Sequence, residues 1–534
     1  MKIRFGRYTA FGLCVAGSLI TLWLMPESFW GGVLLIVLLA LSLLGIWDLV
    51  QTQHSVLRNY PVIGHVRWLV EAIRPEIRQY LLESETEATP FSRAQRSLVY
   101  RRAKEAPSEH PFGTMMDVYA DDYEFIQQSL VPVETPDPKG FRITIGNDQC
   151  SQPYSASVFN ISAMSFGALS ANAIRALNKG ARLGGFYHDT GEGSISPYHR
   201  ENGGDVVWQV ASGYFGCRDS EGRFDPERFA AQATTPQVKM IELKLSQGAK
   251  PGHGGVLPGA KVTPEIAMTR GVPVGVDCIS PARHSAFNTP LEMMAFLQTL
   301  RELSGGKPVG FKLCIGLPWE FMAIVKAMLA SGIVPDFIVI DGGEGGTGAA
   351  PVEFSDHIGV PMREGLLFVH NTLVGAGLRH RIRIGVAGKL ISAFDVAAVL
   401  AIGADWVNAA RGFMFALGCI QSLSCHTNRC PVGVATQDLK RSRALVVPDK
   451  AERVWRYHER TVEALAEMLG AAGLRHPDDL RPHHLVHRIS STELRQFDRM
   501  HYFAEPNDLV ERRAAGAFYQ DNWDLARAES FARA

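Results

Sequence analysis

Three cysteines fall close together in the sequence, at Cys419, Cys425 and Cys430, and Pro431 follows the third. Cysteine thiolates are the usual ligands of iron–sulfur clusters, and a proline after the last cysteine is typical of such a run. A zinc site would favour a tighter Cys-x-x-Cys pair and a fourth ligand, and His426 lies awkwardly next to Cys425. Cysteine is also often simply buried. The spacing therefore indicates an iron–sulfur site, with zinc and a purely structural role left open.

Glycine-rich and basic segments follow three apolar runs. Gly342–Gly348 is so dense in glycine that backbone amides could approach a ligand closely. Two later runs are followed by Gly385–Lys389 and by Ala409–Gly412, and in (β/α)8 barrels the loops after strands seven and eight bind phosphate. These segments suit a phosphorylated cofactor such as FMN. A flexible loop without ligand and ordinary surface charges at Lys389 and Arg411 are the alternatives.

Two further groups suit anionic ligands. Lys312 lies inside the apolar run Val309–Leu313, and a buried lysine needs an anionic partner. We interpret that partner as the N1/O2 edge of a reduced flavin, with a core ion pair as the alternative. The loop Gln247–Gly255 offers the amide of Gln247 and the ammonium of Lys250, which together can hold a carboxylate.

Strand-length apolar runs alternate with helical patterns, which predicts an α/β fold of βαβ units around a parallel sheet. The predicted strands are Ser157–Ala163, Lys239–Leu245, Val309–Leu313, Phe337–Ile340, Ile382–Gly385 and Trp406–Asn408, and the predicted helices include Ala171–Leu183, Pro290–Leu303, Trp319–Ser331, Ala393–Ile402 and Ala451–Ala471. Residues able to do chemistry follow these strands, among them Ser165, Lys250, Asp341, Lys389 and Arg411. A (β/α)8 TIM barrel places its active site on such loops. A doubly wound fold would show a G-x-G-x-x-G after an early strand, and the sequence has none there.

The composition excludes some classes of function. The 534 residues include 54 Lys and Arg and 54 Asp and Glu, so no net basic field suggests nucleic acid as a partner. Eight cysteines in so long a chain make no disulfide framework, and ligand cysteines need a reducing compartment. We therefore expect a cytoplasmic catalytic part that binds no nucleic acid.

Two nearly uncharged apolar runs, Tyr8–Met25 and Phe29–Trp47, are each about long enough to span hydrocarbon. They predict a transmembrane helical hairpin before the barrel. Basic residues precede the first run and follow the second, whereas the connector Pro26–Ser28 has none, so the positive-inside rule places both ends in the cytoplasm. The expected location is the cell membrane, with two spans. A cleaved signal peptide is the alternative, which the second run and the missing small-residue cleavage site disfavour.

The rest of the chain divides into a linker, a barrel and an extension. Between Gln51 and Arg102, apolar residues recur at helical spacing among basic ones, which predicts a membrane-surface helix, although an ordinary surface helix would look the same. The Pro- and Asp-rich stretch Phe112–Asn147 is interpreted as a cover for one end of the barrel. We predict a membrane hairpin over 1–50, a linker and barrel-covering segment over 51–147, an FMN-binding barrel with the iron–sulfur segment over 148–440, and a helical extension over 441–534.

Several segments in this order resemble the FMN-binding synthase domain of glutamate synthase. The matching segments are Ala163–Gly167, Asp189–Gly193, Gln209–Gly213, Gln247–Lys261, Val262–Ala267, Gly343–Pro351 and Cys425–Gln437. The similarity covers about Phe159–Leu439, and its combination of motifs is specific. It implies a TIM barrel with FMN and a 3Fe-4S cluster held by Cys419, Cys425 and Cys430.

The resemblance also implies an activity, in which 2-oxoglutarate condenses with ammonia to 2-iminoglutarate and a hydride from reduced FMN then gives L-glutamate. The family's keto-acid contacts map onto Gln247, Lys250 and Arg270. We expect Lys312 to serve both in catalysis and in cofactor binding. The residues expected at FMN are Ser165, Thr190, Gln209, Lys312, Gly343, Gly346, Thr347, Gly388, Lys389, Arg411 and Gly412. Electrons would enter through the cluster from an electron-donor protein or a membrane electron pool. No single residue stands out as the proton donor to the product, and His253 and Glu344 are the candidates.

The sequence departs from the family in places that bear on the substrate. The family's Gly-Glu-Gly-Gly-Gln run reads Gly252-His253-Gly254-Gly255-Val256 here, so an acid has become His and a substrate-contacting amide has become Val. The chain begins with apolar helices where the family has a glutaminase domain, so we expect ammonia from solution or from a partner that donates it. The leading hypothesis is thus an oxidoreductase of the CH-NH2 class that forms glutamate. The alternatives are a membrane-linked FMN oxidoreductase for another amino or keto acid, and an inactive barrel that serves as an assembly module.

Overall fold

Eight parallel strands close into a barrel in the computed structural model, which describes residues 6–24, 28–87, 89–107, 109–513 and 517–534. In chain order the barrel strands are β1 (Phe159–Ile161), β2 (His188–Asp189), β3 (Val206–Val210), β4 (Val238–Lys244), β5 (Val309–Leu313), β6 (Phe337–Asp341), β7 (Arg383–Ala387) and β8 (Trp406–Ala409). β8 pairs with β1 and closes the ring. All five residues of β3 and of β5 are buried, as expected for strands covered on both faces. The predicted TIM barrel is confirmed, and the doubly wound alternative is excluded.

Helices follow the strands around the outside of the barrel. They are Ala171–Gly184, Pro197–Arg200, Pro226–Ala233, Pro264–Arg270, Pro290–Leu303, Pro318–Ser331, Val352–His357, Met362–Gly375, Ala393–Ile402, Arg411–Leu417, Leu439–Ser442 and Val447–Ala471. Local sequence fixes several of their starts: Ser170 accepts a hydrogen bond from the Ala173 amide, and Thr289 with Glu292 forms a capping box. The predicted helices Pro290–Leu303 and Ala393–Ile402 match at both ends, and the other three differ by a few residues.

The predicted first strand, Ser157–Ala163, is two strands in the structure. Tyr154–Ser157 pairs with Arg142–Ile145 as an antiparallel hairpin, and β1 follows after Val158. The break has a physical reason, because the amide of Val158 donates to the hairpin residue Phe141 whereas its carbonyl accepts from Val407 of β8. One residue thus transfers the chain from the hairpin to the barrel.

The hairpin lies at the amino-terminal end of the barrel. The amide of Asn147 donates to Oδ1 of Asp336 at 2.8 Å, and its side chain donates to the carbonyls of Val334 and Pro335, just before β6 begins. The long loops lie at the carboxyl-terminal end of the barrel, together with the predicted site residues.

Short strands and helices lie outside the ring of eight barrel strands. Three strands, Glu124–Ile126, Leu485–Ser490 and Glu493–Gln496, form an antiparallel sheet, and Val256–Leu257 pairs with Cys278–Ile279 in the loop after β4. The 3-10 helices are Pro138–Gly140, Gly191–Gly193, Gly259–Lys261, Pro477–Asp479, Pro482–His484 and Phe497–Arg499, and the last helix is Ala517–Leu525.

The chain divides into two compact units, Met1–Arg93 and Ala94–Ala534. The helices of the first unit are Thr9–Leu24, Phe29–Val50, Ser55–Asn59, Gly64–Ile77 and the π-helix Arg78–Leu82; Arg93–Ala103 begins at the boundary. The boundaries predicted at 50, 147 and 440 stay predictions.

The first two helices pack against each other. Ser18 and Ser42 have their hydroxyl oxygens 3.4 Å apart, and a Cβ on Gly17 would lie 3.1 Å from a methyl of Leu38. Among the described residues only Phe29–Val50 is long and apolar enough to cross a membrane, and Thr9–Leu24 is too short for the same criterion. The predicted hairpin of two spans is therefore present as a helix pair with one candidate span. Pro26 and Glu27 of its connector and the basic residues Lys2 and Arg4 lie outside the described residues, whereas Ser28 caps the second helix.

Candidate active site at the carboxyl end of the barrel

Charged side chains meet inside the carboxyl half of the barrel. Nζ of Lys312 on β5 lies 3.6 Å from Oδ2 of Asp341 on β6, and only 6% of the Lys312 side chain is exposed. Burial alone would lower the pKa of Lys312, but Asp341, Glu242 and Asp189 outweigh it and raise the pKa. Lys312 is therefore a firmly charged ammonium. The core ion pair left open by the sequence is present, and contact with a flavin stays a prediction.

Two buried acids near Lys312, Asp189 and Glu242, disfavour each other's ionisation. Burial raises the pKa of both Asp189 and Glu242, and the charge of Glu242 raises that of Asp189 further. Two adjacent buried carboxylates are costly, so one shared proton is the cheaper arrangement. Gln209 donates to Oε1 of Glu242 at 2.6 Å, and the amide of Gln209 donates to the hydroxyl of Thr190. The structure thus places the predicted residues Gln209 and Thr190 fully inside the barrel, next to this acid pair.

A lysine that the sequence did not single out contacts both Glu192 and Gln247. Lys244, the last residue of β4, donates to Oε2 of Glu192 at 3.0 Å and to Oε1 of Gln247 at 2.5 Å. Burial would raise the pKa of Glu192, but Lys244, Arg270 and Lys250 outweigh it and lower the pKa. An ionised Glu192 is therefore surrounded by three cations.

Lys250 and Arg270 are buried without a carboxylate in hydrogen-bonding contact among the described residues. Nζ of Lys250, in a residue only 2% exposed, donates to the carbonyl of Gly254 at 2.8 Å. Nη2 of Arg270, in a residue only 3% exposed, donates to the carbonyl of Phe166 at 3.0 Å and to the hydroxyl of Ser165 at 3.3 Å. Nε of Arg270 has no partner. Burial and the neighbouring Lys244 lower the pKa of Lys250, whereas Glu192 opposes them.

The structure therefore brings the predicted keto-acid residues together. Gln247, Lys250 and Arg270 all lie around Glu192, and a Cβ on Gly255 would lie 2.0 Å from Oε1 of that carboxylate. Three cations against one carboxylate leave two positive charges in a largely buried place, which favours an anionic ligand.

The glycine loop after β6 forms the opposite side. The carboxylate of Glu344 accepts from the amide of Met362 at 3.0 Å, and its carbonyl accepts from Nη2 of Arg411 at 3.1 Å. A Cβ on Gly346 would lie 2.9 Å from Nη1 of Arg411, and one on Gly388 would lie 2.9 Å from Oε1 of Glu344. The side chains of Arg411 and Glu344 thus connect the loops after β6, β7 and β8 at the glycine positions.

Two cations follow the last two strands, as predicted. Burial lowers the pKa of Lys389, and the nearby Arg411 lowers it further, because two cations in one place repel each other. Burial likewise lowers the pKa of Arg411, against the attraction of Asp341 and Glu344. Lys389 adopts φ of +54°, a strained left-handed conformation for a lysine. An anion between these side chains would relieve their repulsion.

The remaining predicted cofactor positions line these loops. The amide of Gly343 donates to the carbonyl of Val360, Thr347 is exposed, and a Cβ on Gly412 would lie 2.5 Å from the hydroxyl of Tyr457. Ser165 instead contacts Arg270, on the substrate side. The two predicted proton donors differ in placement: His253 is exposed, with its ring 5.3 Å from that of Phe354. Burial raises the pKa of Glu344.

The three cysteines lie near one another beside the glycine loop. All are free thiols, and burial raises the pKa of Cys419 to about 12 and that of Cys425 above its usual value, with Cys430 adding to both. Lys261 lowers the pKa of Cys425 and donates to its carbonyl at 2.7 Å. A Cβ on Gly348 would lie 3.2 Å from Cβ of Cys425. Within the described residues, no three Cys, His, Asp or Glu side chains are arranged as a finished metal site.

The backbone between these cysteines is strained. Gln421, Leu423 and Asn428 all have positive φ, at 58°, 55° and 62°. Three such residues in so short a segment persist only where the surroundings determine the conformation, and they are typical of ligand sites.

Two cavities lie away from the barrel mouth. One of about 310 Å³ borders the cysteine segment and is lined by Tyr100, Ala103, Lys104, Phe415, Ala416, Gly418, Ile420, Lys450 and Arg453. The hydroxyl of Tyr100 donates to the carbonyl of Cys419 at 2.6 Å. The other, of about 470 Å³, is lined by Phe125, Val486 and Arg495 among others, and contains no predicted site residue.

A closed parallel barrel with cationic loops and buried acids at its carboxyl end defines a (β/α)8-barrel protein whose candidate active site lies on that rim. The chain matches the family model described as "Conserved region in glutamate synthase" over residues 121–475. It is 38% identical over 510 residues to a glutamate synthase large subunit-like protein of Bacillus subtilis, covering 88% of this chain and 96% of that protein. The chain therefore belongs to the glutamate synthase family.

A second relative shares only the central part. An archaeal-type glutamate synthase [NADPH] of Thermotoga maritima is 36% identical over 320 residues, which is 60% of this chain and 60% of that protein. A solved mandelate oxidase structure covers 81% of the chain at 16% identity with a TM-score of 0.39, which is too low to carry functional information. The chain spans about 60% of the length of the Thermotoga protein. Membership in the family therefore does not assign that protein's activity to this chain.

Proposed function

We propose that the protein is a flavin- and iron–sulfur-dependent oxidoreductase that aminates 2-oxoglutarate reductively to L-glutamate through 2-iminoglutarate. The observation that carries the proposal is the group of Lys244, Lys250 and Arg270 around the single carboxylate of Glu192. This group leaves two positive charges, which is the charge that a dicarboxylate such as 2-oxoglutarate neutralises. Membership in the glutamate synthase family supports the same substrate class.

The residues have distinct tasks in this reaction. Arg270 and Lys250 would each bind a carboxylate oxygen in place of the carbonyl oxygens they now contact, because charge-assisted bonds are the stronger ones. Gln247, fixed by Lys244, would orient the keto group. Holding the keto acid in one pose accounts for much of the rate that a barrel of this kind can supply.

FMN fits the opposite side of the rim. Lys389 and Arg411 would neutralise its phosphate, and the absence of side chains at Gly346 and Gly388 would let the ring approach the loop backbone. When bound, FMN supplies the hydride. Lys312, kept charged by Asp341 and the acid pair below it, would hold a negative charge at the ring edge.

We assign a 3Fe-4S cluster to the cysteine segment, supported by three free thiols in a short stretch of strained backbone with the cation of Lys261 beside Cys425. Burial penalises the thiolates of Cys419 and Cys425, and bound iron would offset that penalty. The nearest loop of the barrel rim touches this segment at Gly348. Electrons would come from a donor protein or a membrane pool, and the cationic cavity beside Cys419 is the place where a donor could approach.

The membrane assignment is part of the proposal. Phe29–Val50 would span the bilayer with Thr9–Leu24 packed against it, and the catalytic unit would lie in the cytoplasm. Ammonia would come from solution or from a partner that donates it.

A second candidate keeps the cofactors and changes the substrate to another amino or keto acid. His253 and Val256 favour it, since the loop that carries Lys250 presents an imidazole and an apolar side chain where the family has an acid and an amide.

Anaerobic spectroscopy tests the proposal. The purified protein should show flavin absorbance and iron, and its reduced flavin should reoxidise when 2-oxoglutarate and ammonium are added together. A colourless, iron-free protein would overturn the cofactor assignment. Reoxidation by another keto acid with ammonium, and not by 2-oxoglutarate, would select the second candidate.

A further inference from the structure

The segment after the candidate span is held in place by a buried acid. Asp48 lies in the last turn of Phe29–Val50 and is fully buried. Its Oδ2 accepts from the amide of Val62 at 2.9 Å, and its Oδ1 lies 2.8 Å from Nε2 of His65. A buried carboxylate on an otherwise apolar helix is stable only with such partners. Asp48 therefore fixes the start of the helix Gly64–Ile77 to the end of the span.

Close packing reinforces this connection. A Cβ on Gly45 would lie 3.0 Å from a methyl of Val62, and one on Gly64 would lie 2.9 Å from a methyl of Leu57. Around the turn between the span and the next helix, neighbouring side chains thus pack so closely against Gly45 and Gly64 that an added Cβ would crowd them. The helix Gly64–Ile77 is positioned by the span and is not a loosely attached linker.

That helix exposes an apolar face. Its only buried residue is Gly64, and its large apolar side chains before Pro75 are more than two fifths exposed. Val66, Leu69, Val70, Ile73 and Ile77 recur at three- and four-residue spacing, so they share one face. Leu69 is 63% exposed, and Leu81 and Leu82 in the following π-helix are 77% and 75% exposed. A surface helix of a water-soluble unit would bury such a face.

A row of cations flanks this face. Arg67, Arg74 and Arg78 are spaced seven and four residues apart, which places them on one side of the apolar face. Arg74 has only an exposed contact with Glu71, at 3.5 Å. Such a contact contributes little and leaves the arginine able to bind another anion.

We propose that Gly64–Leu82 lies in the plane of the membrane, with its apolar face among the acyl chains and Arg67, Arg74 and Arg78 on the phosphates of anionic lipids. The inference rests on the proposed insertion of Phe29–Val50. The Asp48 contacts set the depth, because they hold the helix at the level where the span leaves the hydrocarbon. An apolar face, a flanking cationic row and a fixed depth together match an anionic bilayer surface better than a protein groove, which would not need the cations.

Photo-crosslinking in vesicles tests the inference with the full chain. p-Benzoylphenylalanine is introduced at Leu69 on the apolar face, at Glu71 on the opposite side as the matched control, and at Leu39 in the span. The vesicles contain phosphatidylcholine and phosphatidylglycerol, and adducts are identified by mass spectrometry. We expect lipid adducts from positions 69 and 39 and few from position 71. With Arg67→Gln, Arg74→Gln and Arg78→Gln combined, the phosphatidylglycerol adducts at position 69 should fall about fivefold or more.

Each other outcome overturns a defined part. Adducts from position 69 to another segment of this chain, to a second copy or to another protein would refute the lipid surface while position 39 still labels lipid. Equal lipid labelling at positions 69 and 71 would refute the in-plane orientation. An unchanged lipid ratio in the triple variant would refute the anionic-lipid contact. Failure of position 39 to label lipid would instead refute the membrane insertion on which the inference rests.

Discussion

Arg270 offers the sharpest test of the substrate site. Its guanidinium is buried over the ring of Phe215, at 5.3 Å from the centroid, and donates to Ser165 and to the carbonyl of Phe166. Nε has no partner. We expect it to bind one carboxylate of 2-oxoglutarate through two bonds, and Arg270→Lys keeps the charge but only one of them.

The magnitude follows from the bond that is lost. A hydrogen bond to a charged group contributes about 1.5–3 kcal/mol, and about 1.4 kcal/mol corresponds to a factor of ten. The dissociation constant for 2-oxoglutarate should therefore rise roughly 10- to 150-fold. Titration of the oxidised flavin spectrum with 2-oxoglutarate measures it, and flavin content should not change.

Arg218→Lys is the matched control. Its guanidinium lies 5.6 Å from the centroid of the same Phe215 ring and reaches the carbonyl of Gly213, away from Glu192. The control should bind 2-oxoglutarate like the unaltered protein. If Arg270→Lys leaves the affinity unchanged, or weakens it no more than Arg218→Lys, Arg270 is not a carboxylate ligand; loss of FMN from the variant would place it at the cofactor.

Three further predictions concern the cofactors and the fold. Cys425→Ser should lose iron while keeping flavin, as measured by metal analysis and absorbance, and retained iron would contradict the ligand assignment. Burial lowers the pKa of His188 and of His458 to about 3, whereas an unfolded histidine titrates near 6.5, so their stabilising contribution is complete above pH 6.5 and is lost as the pH falls toward 3. Protonation of each histidine should lower the free energy of unfolding by about 2 kcal/mol between pH 6.5 and 5, which urea denaturation measures. As the check, this free energy should fall less over the same pH range in His458→Gln. Gly248→Ala should disrupt the rim, because a Cβ there would lie 1.7 Å from the carbonyl oxygen of Gly342; a variant with normal flavin content and melting temperature would contradict this.

Local signals predicted the long barrel elements well. β5 and the helix Pro290–Leu303 match their predicted bounds, since each is a continuous apolar or amphipathic pattern with clear end signals. β2 escaped prediction because its two residues are too short for any periodicity. β3 escaped because a short, fully buried apolar run cannot be told from part of a helix by pattern alone.

The site was only partly predictable for a different reason. Gln247, Lys250 and Arg270 carried signals in type and position, but their common partner Glu192 lies 52 residues before Lys244 in the chain. Closure of the barrel brings these two side chains together, and local sequence does not encode such a distance. The acid pair of Asp189 and Glu242 was missed likewise, because acids on separate strands meet only once the strands close.

The contact between Gly248 and Gly342 couples the two halves of the rim mechanically. The amide of Gly248 donates to Asp341, which also pairs with Lys312, so the loop that carries Lys250 and the loop after β6 share one joint at Asp341. A backbone shift in one loop would break or strain its contact with the other. Altered substrate preference is therefore easiest to introduce beyond this joint, at side chains such as His253 and Val256, whose replacement leaves the joint untouched.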